Sequence, residues 1–297
     1  IVNNNYDYIV IENRPQFVLP IYNLTKSKII LHIHNDYLCG NGKDDLEIIN
    51  ACNKVVVVSN YMKEKMVKYF KGYEEKIYVL YNGIDVDRFN KKLKEEEIVS
   101  IRKGYGIGEH DFVIIFTGRL IKQKGILQLL QSVKKIKNLD HIKVLIVGSS
   151  WYSSNSETEY IHKLQEISED IKDKIIFTGY IDYNYLNNLY DISNIAVLPS
   201  MWEEPLGMVI LEAMSMKLPV ISTKSGGIIE VISEGKTGFL VDRDDNLENN
   251  IAHIIEKLYN NEELCSNIGI SARNIIKSNF TTKIYYDKFV KLLYDKE

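Results

Sequence analysis

The sequence predicts a parallel α/β protein in two units. Three observations carry that expectation. Short β-branched runs alternate with longer stretches of helical period along most of the chain. The strands read as continuous apolar runs, such as Val55-Val56-Val57-Val58, and not as in/out alternation, which marks sheets covered on both faces. A chain of 297 residues also exceeds what one core of ordinary size holds, so two domains are expected.

Taken in order, strands are expected at 8–12, 28–34, 54–59 and 76–80, with helical patterns at 46–51 and 62–70 between them. A turn follows at Tyr81-Asn82-Gly83-Ile84-Asp85, and then a lysine- and glutamate-rich stretch over 91–102 reads as a charged linker helix. The seam is expected after this turn, with the domain bounds set at 90/91 before the linker. Beyond it, strands are expected at 112–117, 143–147, 174–178, 195–199, 219–222 and 238–241, with helices at 126–137, 157–168, 183–192 and 207–216. Six strands make the second half a complete Rossmann-like unit, while the first half has only four. The end, 246–297, carries no strand signal and reads as helices. The chain shows no internal repeat and no low-complexity segment.

Composition narrows the function classes. Apolar residues at 45% and charged residues at 26% describe a globular chain and not a disordered one. Lys plus Arg at 37 against Asp plus Glu at 40 leave a net charge of −3, which argues against a general nucleic-acid binder. No apolar run is long enough to span a bilayer. Cys39, Cys52 and Cys265 are odd in number and far apart, which excludes a disulfide framework or a zinc knuckle and suggests a reducing compartment. Without a leader peptide, the glycosylation tripeptides at Asn23 and Asn279 are read as chance. The start at Ile1-Val2-Asn3 is read as that of a fragment or trimmed chain.

Several motifs are set aside. Gly104, Gly106 and Gly108 follow a charged helix and not a strand, so they lack the context of a dinucleotide loop. Gly235-Lys236-Thr237 has Glu230 where a phosphate loop needs its first glycine, and a strand follows. Asp85-Val86-Asp87 and Asp242-Arg243-Asp244 have a spacing that can hold a divalent metal on a diphosphate, but both are short and common by chance. No metal is expected.

The chemistry concentrates after the fourth strand of the second half. Pro199 ends that strand, a loop with Glu203 and Glu204 follows, and Gly207 opens a helix. The amides of Gly207, Met208 and Val209 then make an anion site at the carboxyl end of the sheet. Glu212 lies inside this helix, and its same-face neighbours Met208, Val209, Ser215 and Met216 cannot pair with a carboxylate. Either that face is wet, or a hydroxyl-bearing ligand satisfies Glu212, or a distant Lys or Arg does. A second cluster is Thr117-Gly118-Arg119 with Lys122 and Lys124. An arginine fork and a lysine at a strand's carboxyl end suit a diphosphate, and they equally make a solvated basic loop. Ser225-Gly226-Gly227, with Glu230, is either a third oxygen-binding helix start or a tight turn. In the first half, His32 and His34 share one face of a strand and are either cleft-facing or core histidines.

Together these segments resemble the retaining glycosyltransferases of the GT-B fold, family 4 (glycosyl transferases group 1). The resemblance rests on Glu204 and Glu212 in the setting Pro-Ser…Glu-Pro-Leu-Gly…Leu-Glu-Ala-Met. It also rests on Gly118-Arg119-Leu120 with Lys124-Gly125, Asn82-Gly83-Ile84-Asp85…Phe89, Val147-Gly148, Phe177-Thr178-Gly179-Tyr180 and Gly226-Gly227…Glu230. Glu12-Asn13-Arg14-Pro15 with Leu31-His32-Ile33-His34-Asn35-Asp36 is similar to cell-surface polysaccharide and spore-coat members. The resemblance implies two Rossmann-like domains facing a cleft: a partial acceptor-side domain over 1–90, a nucleotide-sugar domain over 91–278, and a final helix in 279–297 that crosses back onto the first. It implies that Arg119 and Lys124 neutralise the leaving diphosphate and that Glu212 binds the ribose. Glu204 would hold the transferred sugar, and the Gly207, Met208 and Val209 amides would cradle phosphate or sugar. Gly118 would allow close backbone approach, Tyr180 would sit by the base, and His34, with His32 in reserve, would be the first-domain histidine near the sugar. The donor is then a nucleotide-diphosphate sugar, with no cofactor and no metal. The acceptor is a saccharide, lipid-linked or protein group. The location is cytoplasmic, with room for peripheral contact at the inner face of the membrane through the first domain. Family members open with further βα units before the segment matching Tyr8, so the first domain is expected to be truncated at its front. The alternatives are a sugar-nucleotide epimerase of related fold and a catalytically idle nucleotide-binding remnant.

Overall fold

The computed structural model describes residues 6–38, 40, 42–136, 141–149 and 159–294. Cys39 and the first two residues of the helix expected from 157 lie outside them. The chain forms two compact units, Ile1–Gly83 with Thr282–Glu297, and Ile84–Thr281.

The first unit is a four-stranded parallel sheet in the order β1-β2-β3-β4: β1 (Tyr8–Glu12), β2 (Lys28–Ile33), β3 (Lys54–Val57) and β4 (Ile77–Val79). The connections carry α1 (Val18–Tyr22), α2 (Asp45–Ala51) and α3 (Asn60–Tyr69). The Ser59 hydroxyl starts α3 by accepting the Met62 amide at 3.2 Å, as an N-cap serine does. The interiors of the central strands β2 and β3 are Ile, Leu, Val and His32 with essentially no exposure, while the edge strands β1 and β4 are partly exposed.

The second unit begins with α4 (Glu95–Gly104), which none of its residues buries, and continues β5 (Phe112–Thr117), α5 (Ile126–Lys135), β6 (Ile142–Val147), α6 (Glu159–Ile167), β7 (Ile175–Gly179), α7 (Tyr183–Asp191), β8 (Ile195–Leu198), α8 (Met208–Ser215), β9 (Val220–Thr223) and β10 (Gly238–Val241). Helices α9 (Leu247–Tyr259) and α10 (Glu262–Asn279) follow and pack on α5 and α8. All six strands are parallel, in the order β10-β9-β8-β5-β6-β7. Counted from β5 this is 6-5-4-1-2-3, the doubly wound order whose direction of winding reverses between β5 and β8. The loops at the carboxyl ends of β5 and β8 therefore diverge to opposite faces and leave a crevice, where such sheets bind ligands.

The units divide at Gly83/Ile84 and not at 90/91, for a packing reason. Ile84 and Phe89 are buried, and the Arg273 guanidinium on α10 donates to the carbonyls of Phe89 (2.8 Å) and Val86 (3.1 Å). The Ser215 hydroxyl also donates to the Phe89 carbonyl at 2.8 Å, so residues 84–89 are held by the second unit. The last helix, α11 (Thr282–Tyr294), belongs to the first unit. Tyr285, Phe289, Leu292 and Leu293, one stripe at helical spacing, pack on Ile30, Val56 and Leu80 of the sheet. Lys54 Nζ donates to the Leu292 carbonyl at 2.6 Å and so satisfies an acceptor that the helix end leaves unpaired. Among the described residues, no helix is long and apolar enough to cross a membrane.

Candidate functional site

The site is built from the loops after β5 and β8. β5 ends at Thr117, and Gly118 and Arg119 lead to a short 3-10 turn, Lys122–Lys124. β8 is followed by Ser200 and then by Glu203 and Glu204. Lys124 Nζ forms an ion pair with Glu204, whose Oε1 also accepts the Ser200 hydroxyl at 3.0 Å. The two charges are 20% and 9% exposed, so neither is satisfied by bulk water, and removing one partner would strand the other. Thr117, Lys124, Ser200, Glu204, Gly207 and Val209 border one small cavity.

Gly207 caps α8 at φ 89, a left-handed conformation that favours glycine. The first intrahelical amide bond is donated by Ile210 at 3.0 Å, so the amides before it form the open, positive end of the helix. The loop beneath is fixed from the β9 side. Gly227 N donates to the Glu204 carbonyl (2.8 Å), and Gly226 N donates to Glu203 Oε2 (2.6 Å). Glu203 is also paired with Arg243. A Cβ at Gly226 would sit 2.0 Å from the Glu204 carbonyl oxygen, so only glycine lets the two segments approach this closely. The segment Gly226–Glu230 is a 3-10 turn and not the start of an α-helix.

Glu212 is 5% exposed, so the face of α8 that carries it is dry. Its partners are phenols of α7 and not the distant Lys or Arg considered above. The Tyr190 hydroxyl donates to Glu212 Oε2 at 3.1 Å and shares a 2.7 Å hydrogen bond with Thr117 Oγ1; its single proton goes to the carboxylate, so Thr117 is the donor there. The Tyr183 hydroxyl also bonds Glu212. Burial pushes the Glu212 carboxyl up to about 7, against the lowering effect of both phenols and of the Arg88 charge. Burial and the Glu212 charge push Tyr183 up to about 12 and Tyr190 well above the usual range. Arg88 lies 4.0 Å over the Tyr183 ring and donates to the Tyr183 carbonyl (2.7 Å) and Asn184 Oδ1 (3.1 Å), which sets the position of this phenol.

The expected residues are not all at one place. Lys124, Glu204, Gly207 and Val209 share the small cavity, and Glu212 connects to its wall through Tyr190 and Thr117. Arg119 is half-buried next to Gly118. Gly118 is close-packed through its carbonyl, which approaches Gly148, while a Cβ on Gly118 itself would meet only the Phe116 ring at 3.9 Å. Met208 does not border that cavity, and Tyr180, 38% exposed, borders a different one of about 550 Å³ together with Tyr105, Asp182 and Tyr185. The D-x-D pairs are otherwise engaged. Asp85 Oδ1 accepts the Asp87 and Arg88 amides at 3.0 Å each, and Asp242 pairs with Lys224 at 2.8 Å.

In the first unit, His32 is fully buried and His34 is partly open, with 32% of its side chain exposed. Both rings meet Glu12, a residue the reading of the sequence did not single out as chemistry: His32 Nδ1 lies 3.1 Å and His34 Nε2 3.0 Å from Glu12 Oε2. These two contacts hold the Glu12 carboxyl down at about 2. Tyr183 and Tyr190 were missed as well. Their seven-residue spacing, one face of α7, was the available signal.

Known proteins resemble the chain along most of its length. Residues 97–275 match the family described as Glycosyl transferases group 1, and residues 1–88 match Glycosyltransferase Family 4. A putative glycosyltransferase of Bacillus subtilis, YtcC, is 31% identical over 290 residues, covering 94% of this chain and 70% of that protein. The capsular polysaccharide biosynthesis glycosyltransferase CapM of Staphylococcus aureus is 31% identical over 247 residues, covering 79% of this chain and 59% of CapM. Among solved structures, Anabaena Alr3699/HepE in complex with UDP superposes with a TM-score of 0.86 at 21% identity, covering 98% of this chain and 79% of that one. The shared fold is GT-B, with two parallel-sheet Rossmann-like domains.

Proposed function

The chain belongs to the glycosyl transferases group 1 family, and we propose that it is a retaining enzyme that moves a sugar from a nucleotide-diphosphate donor to a saccharide, lipid-linked or protein acceptor in cell-surface glycan synthesis. The observation that carries this reading is Glu212: a buried carboxyl held only by neutral phenols, behind the crevice where a doubly wound sheet binds ligands. A ribose reaching this carboxyl would add its hydroxyls to the two phenol donors, or take the place of one of them. Lys124 and Arg119 serve the diphosphate, Glu204 the hydroxyls of the transferred sugar, and the Gly207, Met208 and Val209 amides the phosphate. Gly118 lets the β5 loop run close to the diphosphate, Tyr180 serves the base, and within the first unit His34 serves the sugar.

The charge logic fits. Breaking a glycosyl–phosphate bond develops positive charge on the sugar and negative charge on the leaving diphosphate. Fixed cations and the open end of α8 favour that separation without waiting for solvent to reorganise, so a metal is not required for it. CapM supports the cell-surface setting by its name, and HepE, whose complexes hold UDP and UDP-glucose, makes a uridine diphosphate sugar the first donor to try. We place the work in the cytoplasm, at the inner face of the membrane where such acceptors are built.

Calorimetric titration with UDP, GDP and ADP tests the site. One nucleotide should bind, and EDTA should leave that binding unchanged. Glu212→Ala should weaken the diphosphate and the bare nucleoside alike. Arg119→Ala should cost about 1.5–3 kcal/mol for the diphosphate, the usual worth of a hydrogen bond to a charged group, and little for the nucleoside. Equal losses for both ligands in Arg119→Ala would remove the diphosphate from that loop.

A further inference from the structure

We propose that Glu12, His32 and His34 form a binding site for a first-row divalent metal ion, zinc(II) being the ion their donor set favours. The three side chains offer one ligand atom each, all within 4.8 Å of one another. The sheet brings them together. His32 and His34 are two apart on one line of β2 and its end, so they share a face, and Glu12 on β1 stands directly opposite His32 in the register. Glu12 Oε2 lies 3.1 Å from His32 Nδ1 and 3.0 Å from His34 Nε2. Zinc bonds of about 2.0–2.2 Å to nitrogen and oxygen at tetrahedral angles put neighbouring donors roughly 3.3 Å apart, close to the two edges through Glu12 Oε2, and the His32–His34 edge lies within 4.8 Å. Two imidazoles and a carboxylate suit zinc and its neighbours; magnesium and calcium prefer oxygen alone.

The second observation is His32. It has no exposure, Tyr285 of α11 stacks on it with ring centres 6.2 Å apart, and its Nε2 has no hydrogen-bond partner. The unmatched Nε2 is not the atom that faces Glu12 and ligation would not satisfy it; what counts for the site is that burial and the Tyr285 ring fix the imidazole with Nδ1 aimed at Glu12. The opposite side is open: 55% of the Glu12 side chain and 32% of His34 are exposed, which gives an ion an entry path and leaves room for water as a fourth ligand. The loop is also set in advance, since Asn13 N donates to the His32 carbonyl (2.7 Å) and Asn13 Oδ1 accepts the His34 amide (3.1 Å). Ligation through Nε2 leaves the Nδ1 of His34 for a sugar hydroxyl. The site therefore does not depend on the reading of the second unit.

The full chain, stripped with a chelator and dialysed, would be titrated calorimetrically with zinc chloride beside Glu12→Gln and His34→Ala. His141→Ala is the control, because His141 makes a separate histidine–carboxylate contact, 3.6 Å from Asp111. Both test variants sit at solvent-reached positions, and circular dichroism would check their folding. One zinc per chain is expected for the parent and the control, with affinity at least about tenfold weaker in each test variant, the scale set by loss of even an outer-shell partner. Cobalt(II) should give visible absorption that both test variants lose. Substoichiometric binding by the parent, or undiminished affinity in Glu12→Gln and His34→Ala, would overturn the proposal and leave Glu12 as a carboxylate bridging two imidazoles by hydrogen bonds.

Discussion

Glu212 shows how much one side chain can tie stability to pH. In the folded protein its carboxyl keeps its proton up to about 7, because the charged form has left water, whereas in the unfolded chain it ionises near the ordinary glutamate value of about 4.3. Between those two pH values the native state binds more protons than the unfolded one. Stability supplied by the neutral carboxyl is therefore complete below about pH 4.3 and is lost as pH rises to about 7. Each pH unit in that window is worth about 1.4 kcal/mol, so the loss is at most on the order of 4 kcal/mol. Glu212→Gln keeps the shape and an acceptor for Tyr190 but cannot ionise. Urea denaturation should find it more stable than the parent by on the order of 1–3 kcal/mol at pH 8, with the gap closing toward pH 5. Glu12, held at about 2, titrates below this window and does not blur it. A gap of the same size at both pH values would mean that ionisation of Glu212 is not what costs stability.

At the scale of elements, the strands were legible and the tertiary partners were not. Among the described residues, all ten strands fall within two residues of where β-branched runs placed them, because a buried strand writes most of its length in apolar residues. By contrast, α4 has no buried residue and hence no apolar stripe, so it read as a linker, and the five-residue α1 is too short to show a period. Glu204 and Glu212 could be singled out from their spacing. The phenols that hold Glu212 come from α7, Tyr190 from 22 positions away, contacts no local pattern encodes. The turn at Gly226 makes a prediction of its own. Gly226→Ala combines a left-handed φ of 52 with a Cβ 2.0 Å from the Glu204 carbonyl. Strain of about 1–2 kcal/mol and overpacking of about 1–3 kcal/mol should add to a loss of roughly 2–5 kcal/mol. Gly235→Ala, at φ 68 with nothing within 4 Å, meets only the first cost. Denaturation midpoints should therefore fall clearly further for Gly226→Ala. Equal losses would mean that the contact with Glu204 carries no weight.

At the scale of the molecule, the chain enters the second unit at Ile84 and leaves it at Thr281, and these two points are neighbours: Ile84 N donates to the Phe280 carbonyl at 2.7 Å, and Ile84 pairs with Thr281. The last helix can therefore serve the first unit without disturbing the second. The sequence marked 246–297 as helical, but which core each helix completes depends on packing that no local pattern records. In α11, four apolar residues at helical spacing pack on the face formed by Ile30, Val56 and Leu80. Ending the chain at Thr281 exposes that face and removes the Leu292 carbonyl that Lys54 Nζ bonds. Burial of each large apolar side chain is worth up to about 1.5–3 kcal/mol, so losing four partly buried ones approaches the whole stability of a small domain. Calorimetry of the shortened chain should lose the unfolding transition of the first unit and gain binding of a hydrophobic dye. The transition of the second unit should persist and still rise with UDP, by about 2.7 kcal/mol of stabilisation at a hundredfold excess over Kd. If both transitions survived the truncation, α11 would be an ornament of the first unit and not part of its core; if UDP raised neither, the donor site would have to be sought outside the second unit.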